Sequence, residues 1–368
     1  MPSPAKSTVA HRERGGTGTH GGTDMRMPEV DAALLERLLY CAVAAPSIHN
    51  TQPWRFGMDA GTRVLHVRVD RERSLPHTDP RRRAQHLSVG AAVFNLRVAA
   101  AHFGWEPLVR LLPDPTDPDL LATVGLGVAA PDARPEYRQL YDAVARRHTS
   151  RLPFTGRPVP EHIVAEMAAA ARAEGAHLDM PDFAGTRRLL GLTAVAEDRN
   201  AADPARAAEA RTWITAPGAA APYGIPLTSL GPRDVSSRMP MRDFTGPLPA
   251  LRLPALRFER HAQVALLWTP HDRREDWLRA GQALERALLV ATRHGVRTSI
   301  LHQAMEWPDL RAAMRGARQR CAPHLLIRFG YGPDGGRTPR AAARPAGAGA
   351  ARGRQGHDAT GDDGAPLP

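Results

Sequence analysis

Residues 45–56 read APSIHNTQPWRF, and this stretch with its flanks sets the reading of everything around it. Upstream, Val30, Leu34, Leu38 and Cys41 recur at the spacing of one helix face behind Asp31, a residue type that caps helix starts. Pro46 ends that helix. Downstream, Pro53 and Trp54 lead into a strand, and residues 63–69 (RVLHVRV) alternate with the period of a half-buried strand. The stretch therefore lies at a helix terminus, where backbone groups lack helical partners. Ser47, Asn50 and Gln52 add three short polar side chains that can read the edge of a heteroaromatic ring through donors and acceptors. A plain loop with capping side chains is the alternative from chemistry alone.

Working outward, residues 88–103 form a helix stopped at Gly104, and 106–112 and 121–128 are strands. Residues 135–147 and 160–174 are helices with proline near the first turn. An apolar strand at 262–269, a helix at 277–294 ended by Gly295, and a last strand at 324–331 follow. Residues 90–105 (GAAVFNLRVAAAHFGW) and 281–296 (GQALERALLVATRHGV) echo each other: equal length, an opening glycine, alanine third, and a glycine before a strand. The order of neighbouring elements favours a duplicated unit over two unrelated amphipathic helices, and the fold class is α+β. Residues 214–258 are rich in Pro and Gly, with Met, Phe and Leu recurring, which predicts an ordered cover over a site in preference to a flexible linker. Residues 1–27 and 334–368 have too few large apolar side chains to offset the entropy of ordering, and are predicted to be disordered.

Composition excludes several classes. The chain has 368 residues, 42% of them apolar, yet no apolar run long enough to span a membrane and no apolar core of a secretory leader near its start. Cys41 and Cys321 form no paired motif, which fits a reducing cytoplasm. The net charge of +11 comes from arginine, with Lys6 the one lysine, and Arg81-Arg82-Arg83 has no interleaved aromatics, so no nucleic-acid partner is predicted. Gly16-x-Gly18-x-x-Gly21 spells a dinucleotide fingerprint but follows no strand and opens no helix, and Gly125-Leu126-Gly127 lacks the third glycine. There is no phosphate-binding P-loop, no paired-histidine metal spacing and no nucleophile elbow, so no metal ligand and no catalytic side chain is assigned.

A second cluster lies at 146–154, RRHTSRLPF, followed by PVP at 158–160. Guanidinium forks match phosphate oxygens and a hydroxyl adds a neutral donor, which makes Arg146, Arg147, Thr149 and Arg151 candidates for holding a phosphate. For the segment in isolation, a basic helix end countering its own dipole is the favoured reading.

The first stretch resembles the A-P-S-x-x-N-x-Q-P-W signature of the FMN-dependent nitroreductase superfamily, and the second resembles its R-R-S-x-R-x-F…P-V-P opening, with Thr149 in place of serine. Here the order of the two is reversed, and residues 169–178 (AAARAEGAHL) stand where a second A-P-S motif would fall. That order, with DRERSLPHTDPRRRAQHLSVGAA at 70–92 and YGIPLTSLGPRD at 223–234, resembles the Acg family of nitroreductase-like proteins. The resemblance implies a nitroreductase-like fold in two tandem, degenerate copies, 28–145 and 146–333, forming a pseudo-dimer within one chain that could remain a monomer, with a lid at 214–258. It implies one FMN, contacted by Ser47, Asn50, Gln52, Arg146, Arg147, Thr149 and Arg151. The backbone of Leu301 is placed by flavin N5 and Arg328 at the phosphate. The implied activity is hydride transfer from NADH or NADPH through FMN to a small-molecule acceptor, a nitro compound or quinone; sequestration of FMN under a closed lid is the competing reading.

Overall fold

Two antiparallel four-stranded sheets with the same internal order pack against a central pair of long helices. The computed structural model describes residues 30–128, 135–216, 222–245, 253–316 and 320–343. The elements run α1 (Ala32–Val43), β1 (Trp54–Asp59), β2 (Val64–Val69), α2 (Arg83–His102), β3 (Trp105–Leu111), β4 (Leu120–Val128), α3 (Pro135–Arg138) and α4 (Tyr141–Arg146). They continue with α5 (Glu161–Ala173), β5 (His177–Asp179), α6 (Phe183–Ala202), α7 (Pro204–Thr212) and four two-residue strands, β6 (Ile214–Thr215), β7 (Ile225–Pro226), β8 (Arg233–Asp234) and β9 (Ala255–Leu256). Then come β10 (Gln263–Thr269), α8 (Arg274–Arg293), β11 (Arg297–Leu301), α9 (Pro308–Met314) and β12 (Ala322–Gly330). The α+β reading holds.

The first sheet has the order β1-β2-β4-β3 and the second β5-β10-β12-β11. In each, a helix (α2 or α8) follows the second strand and precedes the outer hairpin. The Asp31 carboxylate caps α1 by accepting from the backbone N–H of Leu34 at 2.7 Å, as its position implies. Helix α2 is apolar or small almost all round, and apart from Arg97 every residue from Arg83 to Ala101 is buried, the signature of a core helix.

The two echoing glycines meet at the centre. A Cβ added at Gly90 would overlap the carbonyl oxygen of Leu278, and one at Gly281 would overlap that of Leu87. Each helix thus offers a Leu and a Gly three residues apart to the same pair on the other. Only a residue without Cβ permits this approach of two backbones. Gly90→Ala or Gly281→Ala is expected to cost at least about 1–3 kcal/mol by forcing α2 and α8 apart, read as a lowered urea midpoint with an unchanged slope.

Three differences from the sequence reading have physical causes. The helix expected over 135–147 breaks into α3 and α4. Helices α6 and α7 were not anticipated, because the buried face of α6 carries Thr186, Thr193, Ala196 and Asn200 beside Leu189 and Leu190, which blurs its apolar stripe, and α7 buries no residue fully. The predicted disordered tail begins at 334, yet the chain runs on in ordered contact to Ala343, which packs against the core. The disorder expected for 1–27 and 344–368 falls outside the described residues.

Candidate functional site

A cavity of about 280 Å³ lies where the end of α1, the segment after α4, the end of β11, the 222–245 cover and the C-terminal segment converge. Ser47, Asn50, Arg147, Thr149, Arg151 and Leu301 all line it. Residues a hundred positions apart in sequence therefore share one wall.

One end is strongly cationic. Arg147 is buried, donates to the Ala44 carbonyl at 3.0 Å, and pairs with the fully buried Glu285 of α8 at 3.3 Å. Arg340, from the C-terminal segment, lies beside them; burial and then the Arg147 charge bring its guanidinium down to about 9, still cationic at neutral pH. The buried Nε of Arg340 lacks a hydrogen-bond acceptor, while that of Arg147 faces the Glu285 carboxylate at 3.3 Å. Arg337 and Thr338 complete this end, with Arg337 held by the Ala145 carbonyl at 3.1 Å. Arg147 is buried, Arg340 partly so and Arg337 exposed, and guanidinium groups gathered this way could hold an anion.

The other end lies under the cover. Phe244 is buried edge-on against His49 at 5.1 Å between ring centres. Both ring nitrogens of His49 are buried without partners, and burial, followed by the charges of Arg242, His302 and Arg151, holds the imidazole neutral. Arg242 reaches from the cover to the fully buried side chain of Glu306, which also accepts from Asn200 at 3.0 Å and sits 3.3 Å from His302. Burial pushes Glu306 up, but Arg242, His302 and Arg206 together hold its carboxyl below the usual range. Gln303 donates to the Pro240 carbonyl at 2.9 Å, adding a second tie to the cover. The described parts of 214–258 are thus an ordered cover.

Asn50 and Gln52 join the cover to the tail. The Asn50 amide donates to the carbonyls of Gly224 at 2.8 Å and Pro339 at 3.0 Å, and its oxygen accepts from Arg340 at 2.8 Å. The Gln52 amide donates to the Pro222 carbonyl at 2.6 Å while its oxygen accepts from the Ala341 N–H at 2.9 Å. The positive φ of His49, Asn50 and Gln52 turns the loop so that these side chains face both segments.

Among proteins of known sequence, one from Mycobacterium tuberculosis that carries the name of an NAD(P)H nitroreductase, Rv3131, is 34% identical over 305 residues, covering 82% of this chain and 86% of its own. A second from the same organism, named as the NAD(P)H nitroreductase acg, is 31% identical over 325 residues, covering 86% and 96%. This chain belongs to the Acg family of nitroreductase-like proteins. No protein-family model matches it. Among solved structures, the FMN-dependent nitroreductase NfnB from Mycobacterium smegmatis in complex with NADPH matches 55% of this chain and 94% of its own at 18% identity and a TM-score of 0.34, and the family assignment rests on the sequence relatives alone.

Within this Acg-family chain three of the sequence candidates do not reach the cavity. Arg146 is exposed and donates to the Asp142 carbonyl one turn back. Gln52 is a clasp between cover and tail and does not line the cavity. Arg328 is wholly buried elsewhere: its fork meets Glu259 at 2.5 and 2.6 Å and lies 3.7 Å over the Phe154 ring. A buried guanidinium needs a carboxylate, and this one has spent its donors internally. The sequence reading missed Arg337 and Arg340, which sit in an Ala/Gly/Arg-rich tail, and Glu285, which is the fifth letter of the glycine-led helix echo. Among the described residues no His/Cys/Asp/Glu group can hold a metal, and no helix is long and apolar enough to cross a membrane.

Proposed function

We propose that this chain is an FMN-dependent NAD(P)H oxidoreductase built from two tandem nitroreductase-like halves, 28–145 and 146–333, that pair as a dimer would. One observation carries this most: motif segments from the two halves line a single cavity with Arg147, Arg151 and Arg340 in its wall, and the buried Nε of Arg340 has no acceptor. The fit to a phosphate-bearing cofactor is therefore good. The like order of the two sheets and the reciprocal Leu–Gly contact of α2 and α8 support the pairing, since a two-fold interface has residue i on j and j on i. The relatives' names support a nicotinamide as electron donor. With no A-P-S motif at 169–178, one FMN per chain is expected.

Bound FMN would supply hydride acceptance at N5 and electron delivery to a nitro compound or quinone. The chain's residues supply position and charge. Arg147, Thr149, Arg337 and Arg340 hold the phosphate, and Ser47, Asn50 and Arg151 border the ring. Burial and then Arg242 bring Arg151 to about 10, so it stays cationic and favours an anionic reduced ring. Leu301 and its neighbours Ile300 and His302 add a further part of the wall. Phe244 and Met241 of the cover exclude water. Two buried cysteines outside any disulfide fit the cytoplasm, and halves that pair within one chain fit a monomer.

Sequestration of FMN without turnover is favoured by one observation, the closure of the cover through Phe244 on His49 and Arg242 on Glu306. Anaerobic mixing with NADH or NADPH separates the two. The oxidoreductase bleaches its flavin within a turnover time, and Arg242→Ala, by releasing the cover, bleaches it faster. A fully loaded protein that neither nicotinamide reduces, with or without the substitution, is a store for flavin.

A further inference from the structure

We infer that Glu285 is a positioning residue that takes up a proton when a phosphate ester enters the cationic end of the cavity, so that cofactor binding and proton uptake are coupled. This rests on the FMN reading above and adds a regulation to it. Glu285 of α8 does not itself line the cavity; it pairs with Arg147, from the segment after α4, and acts on Arg340, from the C-terminal segment, both of which do. On the α2 side stands Asn95, whose amide donates to the Cys41 carbonyl of α1 at 3.0 Å. The Glu285 side chain is 0% exposed, with the Arg147 guanidinium and the Asn95 side chain as its polar neighbours. It is held ionised chiefly by one guanidinium 3.3 Å away.

Two buried cations and one buried anion balance poorly, and a phosphate dianion reverses the excess. Once Arg147 turns its fork to phosphate oxygens, Glu285 faces an anion across a dry gap with its counter-charge shared. Like charges at that separation disfavour the ionised carboxyl, and neutralisation by a proton from solvent is the route open to it. Burial already raises Glu285 to about 7, against the downward pull of Arg147, Asn95 and Arg340. A phosphate raises it further. The sign follows: a group whose affinity for protons rises on binding makes the ligand bind more tightly at low pH and more weakly as pH rises above about 7. Above that pH the phosphate itself stays dianionic, its second ionisation lying near 6. Arg340, brought down to about 9, is the other group at this end whose charge the top of a pH 7.0–9.0 series reaches, and His148 lines the cavity near Asp334.

The test is calorimetric titration of flavin-stripped full-length protein with FMN and with riboflavin between pH 7.0 and 9.0, in buffers of different ionisation enthalpy. Expected are uptake of about half to one proton per FMN at pH 8, an FMN Kd that weakens by up to about tenfold per pH step, and neither effect with riboflavin. Glu285→Gln is expected to abolish uptake and flatten the FMN profile, and His148→Gln to keep both. The inference is overturned if wild-type protein takes up no proton with FMN, if Glu285→Gln retains the slope, or, should Glu285→Gln fail to fold, if His148→Gln removes it. Inorganic phosphate separates this from the flavin reading. If neither flavin binds but phosphate raises the wild-type melting temperature less at pH 9 than at pH 7, and equally at both in Glu285→Gln, the coupling stands and the cofactor assignment fails. If phosphate has no effect either, both fail.

Discussion

Arg147→Ala is expected to weaken FMN about a hundredfold while leaving riboflavin nearly unchanged. The guanidinium is buried at the cationic end of the cavity, where its Nε faces the Glu285 carboxylate at 3.3 Å. Charge-assisted hydrogen bonds to an anion contribute roughly 1.5–3 kcal/mol each. Losing a fork to a phosphate therefore removes about 3 kcal/mol, close to two decades in Kd. Riboflavin lacks the phosphate and does not draw on that fork. Removing Arg147 also leaves Glu285 without its nearest cation, so the melting temperature must be followed in the same samples. Protonation of Glu285 limits that cost near neutral pH, because burial already places the carboxyl at about 7. Flavin fluorescence quenching reads both affinities. Equal weakening of the two flavins would move Arg147 away from the phosphate.

Ending the chain at Pro333 is expected to have a larger effect and a different signature. It removes Arg337 and Arg340 from the anion end and frees both amides of the clasp, since Asn50 holds Pro339 and Arg340, and Gln52 holds Ala341. FMN loses two cations, for more than a hundredfold in affinity by the same reckoning. Riboflavin should weaken too, because the loop that carries Ser47 and Asn50 loses a segment packed on it. The core should survive, since the sheets, α2 and α8 precede residue 333. A shortened chain that binds FMN as tightly as the full one would show that the tail merely rests on the cavity.

The sheets and central helices were legible because their sequences obey simple periods. Residues 63–69 alternate, and 277–294 carries its apolar face at helical spacing up to Gly295. The echo of Gly90 and Gly281 was visible as well, though its meaning, a close approach of two backbones, needed the fold. Part of the cavity lining could be read because motif letters such as Ser47, Asn50, Arg147, Thr149 and Arg151 sit beside element ends. Arg328 misled for a definite reason: a strand arginine looks the same in sequence whether its partner is a phosphate or, as here, Glu259. Arg146 misled because adjacent arginines at a helix end cannot both face inward. Arg340 was invisible, since a tail of Ala, Gly and Arg has no core of its own and is tied down by long-range contacts, among them its hydrogen bond to a loop 290 residues earlier.

The central claim is that the two halves build one cavity, and that this cavity holds one FMN reducible by a nicotinamide. Flavin content per chain, measured after denaturation, followed by anaerobic stopped-flow absorbance with NADH and with NADPH, tests it most directly. One FMN per chain, bleached by at least one nicotinamide and lost in Arg147→Ala, is the expected result. Two flavins per chain, FAD in place of FMN, or no flavin uptake by folded protein would contradict it.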